Sequence, residues 1–338
     1  MVGTMALLLP FIRSGRMTPT AAHSAGPEPD APHVGDEEVL LDAADSRLAP
    51  VLVAAARGEH TPAAALLGAT RAAAEWERRD RYAVRLAAFA RSRPEWLETW
   101  RAAAPHSPDA LLVEAQLAVD RAWRSPARTE ALREVSPLIT RAARSDDRDP
   151  VPWRIALDHA RGARAGHRYF EELWEAAVRR APHHYGCHVA ALRYLAASGR
   201  DAHRACFDFA DRAAQDAPAD SFVQALPLRV AFACLADGRA AWVERERLDA
   251  AADRGIALSA LLGPADPWPA PVRNLLIHVL ARLDRPSDAL EQLRLNGPYA
   301  TSFPWERESE DPLGRFLQVR GELLEAAAEG SAPAPRRP

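Results

Sequence analysis

The sequence predicts an all-α chain, a right-handed helical solenoid built of antiparallel helix pairs. Three observations carry that prediction. Apolar residues recur at three- and four-residue spacing, and no alternating Val/Ile/Thr run bounded by hairpin turns is present. Ala-Pro closes helical segments at Ala104-Pro105, Ala181-Pro182 and Ala217-Pro218. Pro150, Pro182 and Pro218 stand 32 and 36 residues apart, a period of the size seen in repeated helix–turn–helix units.

Taken in order, residues 1–35 are rich in Pro, Ala and Gly and read as a disordered leader. Residues 36–328 read as one helical repeat domain, and 329–338 as a disordered Pro- and Arg-rich tail. The domain opens with a helix over Asp36 to Arg57, kinked or restarted at Pro50 and stopped by Gly58. Thr61-Pro62 pairs a capping residue with proline at the first helical position and starts the next helix. Glu75 to Ala90 follows, with Trp76, Tyr82, Val84, Leu86 and Phe89 expected to be buried. A short helix from Pro94 holds Trp96, Leu97 and Trp100.

Ser107-Pro108 and Ser125-Pro126 open the next pair, whose second helix is expected to break at Pro137. A charged loop, Asp146-Asp147-Arg148-Asp149, leads into Pro150–Pro218, where the repeat is most regular. Beyond it come a helix bent at Pro227, a helix over Arg239 to Leu262 interrupted near Gly255, and a connector from Pro264 to Pro271 around Trp268. A compact hairpin, Val272 to Leu283 and Ser287 to Leu295, stops at Asn296-Gly297-Pro298. Pro312 to Ala328 forms the last helix and caps the stack.

The second helices of these pairs resemble tetratricopeptide (TPR) units. Trp174, Ala177 and Pro182 match the aromatic, small and proline positions of that consensus, and in the next unit Cys206, Ala213 and Pro218 match its first small position, its later alanine and its closing proline. The first helices depart from it, because neither Trp153 nor Tyr185 is followed by the Leu-Gly pair. The chain also resembles an uncharacterised family of bacterial, largely actinobacterial, TPR-like proteins. Trp123, Pro150 to Trp153, Gly186-Cys187-His188, Leu192 to Leu195 and Phe207 to Ala210 carry that resemblance, which implies a fold and no chemistry. All 43 basic residues are arginine, a usage that fits a GC-rich bacterial genome.

A formal charge of −3 argues against a nucleic-acid platform. No apolar run approaches the roughly 18 residues of a membrane span. Arg13 and Arg16 follow the first apolar run instead of preceding it, the wrong order for a secretory signal, so the expected location is cytoplasmic. Cys187, Cys206 and Cys234 lack paired spacing and read as small buried hydrophobes. The recurring tryptophans Trp76, Trp96, Trp100, Trp123, Trp153, Trp174 and Trp242 read as core. No nucleophile elbow, phosphate-binding glycine loop or dinucleotide fingerprint occurs, and no cofactor is expected.

The sharpest cluster is His183, His184 and His188. His184 and His188 share a helix face at spacing four, which suits two metal ligands, but a site needs a third. Stacked first helices would align Arg154, Asp158, His184, His188 and Arg193 along one groove. The leading expectation is therefore a non-enzymatic scaffold binding a peptide or partner helix on a TPR-like concave face. The alternative is a metal-binding protein or enzyme using His184 and His188.

Overall fold

The computed structural model describes residues 38–331, apart from Ser198, Arg200 and Asp201. The expected leader and most of the expected tail lie outside the described residues. Two short strands, β1 (Leu40–Leu41) and β2 (Tyr299–Ala300), frame an all-helical array. Its helices are α1 (Ala49–Ala56), α2 (Thr61–Ala72), α3 (Trp76–Ser92), α4 (Glu95–Ala103), α5 (Pro108–Arg124), α6 (Arg128–Ser145), α7 (Val151–Gly162) and α8 (His167–Arg180). They continue as α9 (Tyr185–Ala196), α10 (Ala202–Asp216), α11 (Leu226–Ala236), α12 (Arg245–Ala260), α13 (Ala270–Arg282), α14 (Pro286–Asn296), α15 (Ser302–Trp305) and α16 (Pro312–Ser331). No helix among the described residues is long and apolar enough to cross a membrane.

Local chemistry sets most boundaries. Ser107 accepts a hydrogen bond from Ala110 N at 3.3 Å and Pro108 follows it, so α5 begins where the cap dictates. Pro50 lies in the first turn of α1 rather than kinking a longer helix, and ahead of it the chain turns about Asp45, whose Oδ1 accepts from Leu48 N at 2.8 Å. Pro137 does not break α6: it lies on an exposed stretch, where a missing backbone donor costs least. Nor does Gly255 interrupt α12. A Cβ there would stand 2.6 Å from Leu276 Cδ1 and 3.1 Å from Leu228 Cδ2, so the glycine lets α12 lie against α13 and α11. Residues 239–244 ahead of α12 form a 3₁₀ turn over Ala240–Trp242 rather than joining that helix. Val84 points out of α3, 38% exposed, against its expected burial.

Consecutive helices pack on each other, and α3, α5, α7 and α9 also pack in sequence along one side. The core runs through three large clusters, with a small fourth around Phe222, Ala225, Leu258 and Val272. The first is built around Leu67, Tyr82, Leu86 and Trp96; the second around Leu112, Leu132, Ile155 and Leu157; the third around Phe207, Leu226, Leu276 and Trp305.

A stack in which each unit meets only its neighbours would keep its ends apart. Here the ends meet. β1 pairs with β2 in parallel, Leu40 opposite Tyr299 and Leu41 opposite Ala300. Leu40 N donates to Pro298 O at 2.7 Å, and Asp42 N to Ala300 O at 2.8 Å. Asp42 then accepts from Ser302 N at 3.0 Å and Ser302 Oγ at 2.5 Å. From α3, the guanidiniums of Arg78 and Arg81 lie 4.3 and 3.8 Å from the Trp268 ring centre. Arg81 also donates to Trp268 O at 2.6 Å. The connector around Trp268 is thus clamped onto the N-terminal third of the chain.

Candidate functional site

The first two turns of α3, Glu77-Arg78-Arg79-Asp80-Arg81, organise the polar interior. Arg79 is fully buried. Its Nε donates to Asp149 Oδ2 at 2.6 Å, and its Nη1 to Asp109 Oδ1 at 2.7 Å and Leu67 O at 2.9 Å. Asp149 in turn accepts from Val151 N at 2.9 Å and so caps the start of α7. Burial raises the Asp149 pKa, with Arg79 pulling against it.

Asp80, one residue on, meets the residues singled out by sequence. Arg154 Nε donates to Asp80 Oδ1 at 2.9 Å, and Arg154 Nη2 bonds the same oxygen. Arg154 Nη1 donates to Gln116 Oε1 at 2.6 Å. Asp158 lies 3.6 Å from Arg154, 3.7 Å from Arg161 and 3.8 Å from Arg193. His184 Nε2 stands 3.7 Å from Asp80 Oδ2 and has no hydrogen-bond partner. Glu77 accepts from Tyr185 N at 2.5 Å, so two α3 carboxylates sit at the N-terminus of α9. Gly186 permits this approach, since a Cβ there would lie 2.2 Å from Asp80 Oδ2.

Their surroundings shift the two histidines in opposite directions. Burial lowers the His184 pKa, but the charge of Glu77 and contact with Cys187 outweigh it and carry the group up to about 10. His184 Nδ1 is 3.2 Å from Cys187 Sγ and 3.3 Å from Cys187 N. Those contacts demand different protons. A lone pair on Nδ1 would cap Cys187 N, whereas an imidazolium donates to the sulfur. The carboxylate of Glu77 pulls towards the imidazolium, while burial and the helix N-terminus pull against it. His188 shows the reverse. Burial, opposed by its 3.0 Å contact with His184 O, takes its pKa down to about 4 and keeps it neutral. Its ring meets Trp174 edge-on at 5.0 Å.

Of the five residues expected to line a groove, Arg154, Asp158, Arg193 and His184 gather around shared carboxylates, while the His188 ring turns to Trp174 and Phe209; they do not form an open surface. Arg154, His184 and His188 are buried, Asp158 is half-buried, and Arg193 alone is exposed. The expected groove is filled by α3 at its buried end. Among the described residues no group of three or more His, Cys, Asp or Glu side chains is placed to hold a metal ion, so His184 and His188 gain no third ligand. All three cysteines are free and buried.

Sequence reasoning missed Arg79 and Asp80, although a signal was there. The buried stripe Ala83, Leu86, Ala87 and Ala90, continued backward at helical period, lands on these two charged residues.

Two concavities lie further along. A cavity of about 360 Å³ opens between α9, α10 and α11, with Arg193, Arg229, Arg239 and Arg307 around it and Val230, Phe232 and Phe303 lining it. His203 also lines a neighbouring groove holding Phe207, Arg204, Arg247 and Trp242. Trp242 is 58% exposed, against its expected place in the core, because it sits on the 3₁₀ turn outside α12. Comparisons with protein-family models, curated proteins and solved structures find no match to this chain.

Proposed function

We propose that the protein is a TPR-like, right-handed helical-repeat scaffold that docks a peptide or partner helix. Its pairing supports the repeat reading. First helices α5, α7 and α9 pack on one another, and α6, α8 and α10 pack on them in turn. The small positions Ala177 and Cys206 are buried, and Trp174 wedges against Phe209 at 5.6 Å between α8 and α10. These are the packing roles that small residues and aromatics play in such units.

The observation that carries the docking reading is Trp242. It is a large aromatic left 58% exposed beside a groove floored by Phe207, its ring 6.0 Å from that of His203. Exposed, positioned tryptophans are the residues around which binding energy concentrates. The docking face thus moves from the buried Arg154–His188 end to the α10–α12 side, with Arg193 lying on the adjoining cavity. Selection of peptides from a displayed library against the full chain tests this. Selected peptides are expected to lose about tenfold or more in affinity on Trp242→Ala, with thermal stability unchanged. Peptides that bind both proteins equally would remove the assignment.

A further inference from the structure

We propose that the cavity between α9, α10 and α11 is a binding site for a small organic oxyanion with an apolar body, such as an aryl carboxylate or aryl phosphate. The inference is independent of the scaffold reading, because it rests on a different concavity and a different chemistry. The volume, about 360 Å³, falls in the range of small-ligand sites. Its wall has the division of labour such sites show. Leu192, Val230, Phe232 and Phe303 present apolar surface, while arginines gather around them.

The charges do not balance. Among the described residues, four guanidiniums, Arg193, Arg229, Arg239 and Arg307, face two carboxylates, Asp237 and Glu306. Asp237 is engaged with Arg307 at 3.7 Å. Among the described residues, the one carboxylate Arg193 reaches is Asp158, at 3.8 Å. Arg229 has no carboxylate partner among the described residues; it meets Tyr185 Oη at 3.4 Å and packs 4.4 Å from the Phe303 ring centre. The Arg239 guanidinium makes no hydrogen bond or ion pair among the described residues. The cavity's two thiols add no negative charge, since burial pushes Cys206 up to about 11 and Cys234 upward. Crowded, under-compensated guanidiniums beside apolar surface are stabilised by an oxyanion, which an arginine fork engages through two hydrogen bonds.

Calorimetry and thermal melts of the full chain with phenylacetate, phenyl phosphate and neutral phenylacetamide test the proposal. Saturable binding of at least one of the anions is expected, with phenylacetamide at least about tenfold weaker. Arg229→Met, which keeps the apolar stem, and Arg193→Gln, at an exposed position, are each expected to weaken that binding about tenfold. Should Arg229→Met fail to fold, Arg193→Gln still decides. Ala233→Trp, at an exposed alanine on the cavity wall, fills the space and should abolish binding without lowering the melting temperature. Equal binding of phenylacetamide, undiminished binding by Ala233→Trp, or no saturable binding of either anion at about 10 mM would overturn the assignment.

Discussion

Arg79 and Asp149 are bonded at 2.6 Å across 70 residues of sequence, and both are buried. The pair fixes α3 against the loop that starts α7, and through Asp109 it also reaches α5. Removing one partner would leave the other charge stranded in the interior. Arg79→Met is therefore expected to cost roughly 3–5 kcal/mol in chemical denaturation. Adding Asp149→Asn to Arg79→Met should recover part of that loss, because the stranded carboxylate is gone. A loss under about 1 kcal/mol for the single variant would mean that water reaches the site.

The glycines discriminate between close approach and open helix. Gly186→Ala and Gly255→Ala place a methyl group within 2.2 Å of Asp80 and 2.6 Å of Leu276. Each is expected to destabilise by about 1–3 kcal/mol, the usual cost of overpacking. Gly321 lies within α16 with nothing near its would-be Cβ. Gly321→Ala should instead stabilise by about 0.5–1 kcal/mol through helix propensity. Urea titrations of the three variants give the comparison directly.

The two histidines of α9 should act oppositely with pH. The His188 pKa falls from 6.5 to about 4 on folding, so the unfolded chain binds the proton more readily. Stability then drops as pH falls from about 6.5 towards 4, by at most about 3 kcal/mol from this group. His188→Gln should flatten that acid limb, leaving the share of His278, whose pKa burial also lowers. His184 is raised from 6.5 to about 10. Its contribution is complete below 6.5 and is lost as pH climbs through 10. Denaturation midpoints of wild type, His188→Gln and His184→Asn between pH 4 and pH 10 separate the two.

Much of the helical layout was legible in the residues. Ser107-Pro108, Pro126, the Ala-Pro closures and Asn296-Gly297 act locally, and a capping hydroxyl or a missing N–H is felt by the nearest turn wherever the chain goes. The misread positions share a different cause. Pro137 and Gly255 carry breaker chemistry, but solvent exposure at one and the nearness of Leu276 at the other made a continuous helix the better solution. Trp242 reads as core by type and is left outside by a turn.

The candidate site divides along the same line. A 3.6-residue period and stacked first helices put Arg154, Asp158, His184 and Arg193 on neighbouring turns, while the His188 ring lies against Trp174. What covers them could not be read. Asp80 lies 74 residues before Arg154, and Glu77 lies 108 before Tyr185. Charged residues in a helix read as solvated until a partner of opposite charge is known to be present.

By itself the sequence determined that this chain is helical, where most helices begin and end, and which residues can share a face, because capping, proline geometry and apolar period act over a few residues. Tertiary structure alone decided that Leu40 meets Tyr299, that α3 seals the histidine end, and that four arginines crowd one cavity. Those are long-range pairings. Their energies depend on burial and on charges brought from distant positions, and no local pattern encodes them.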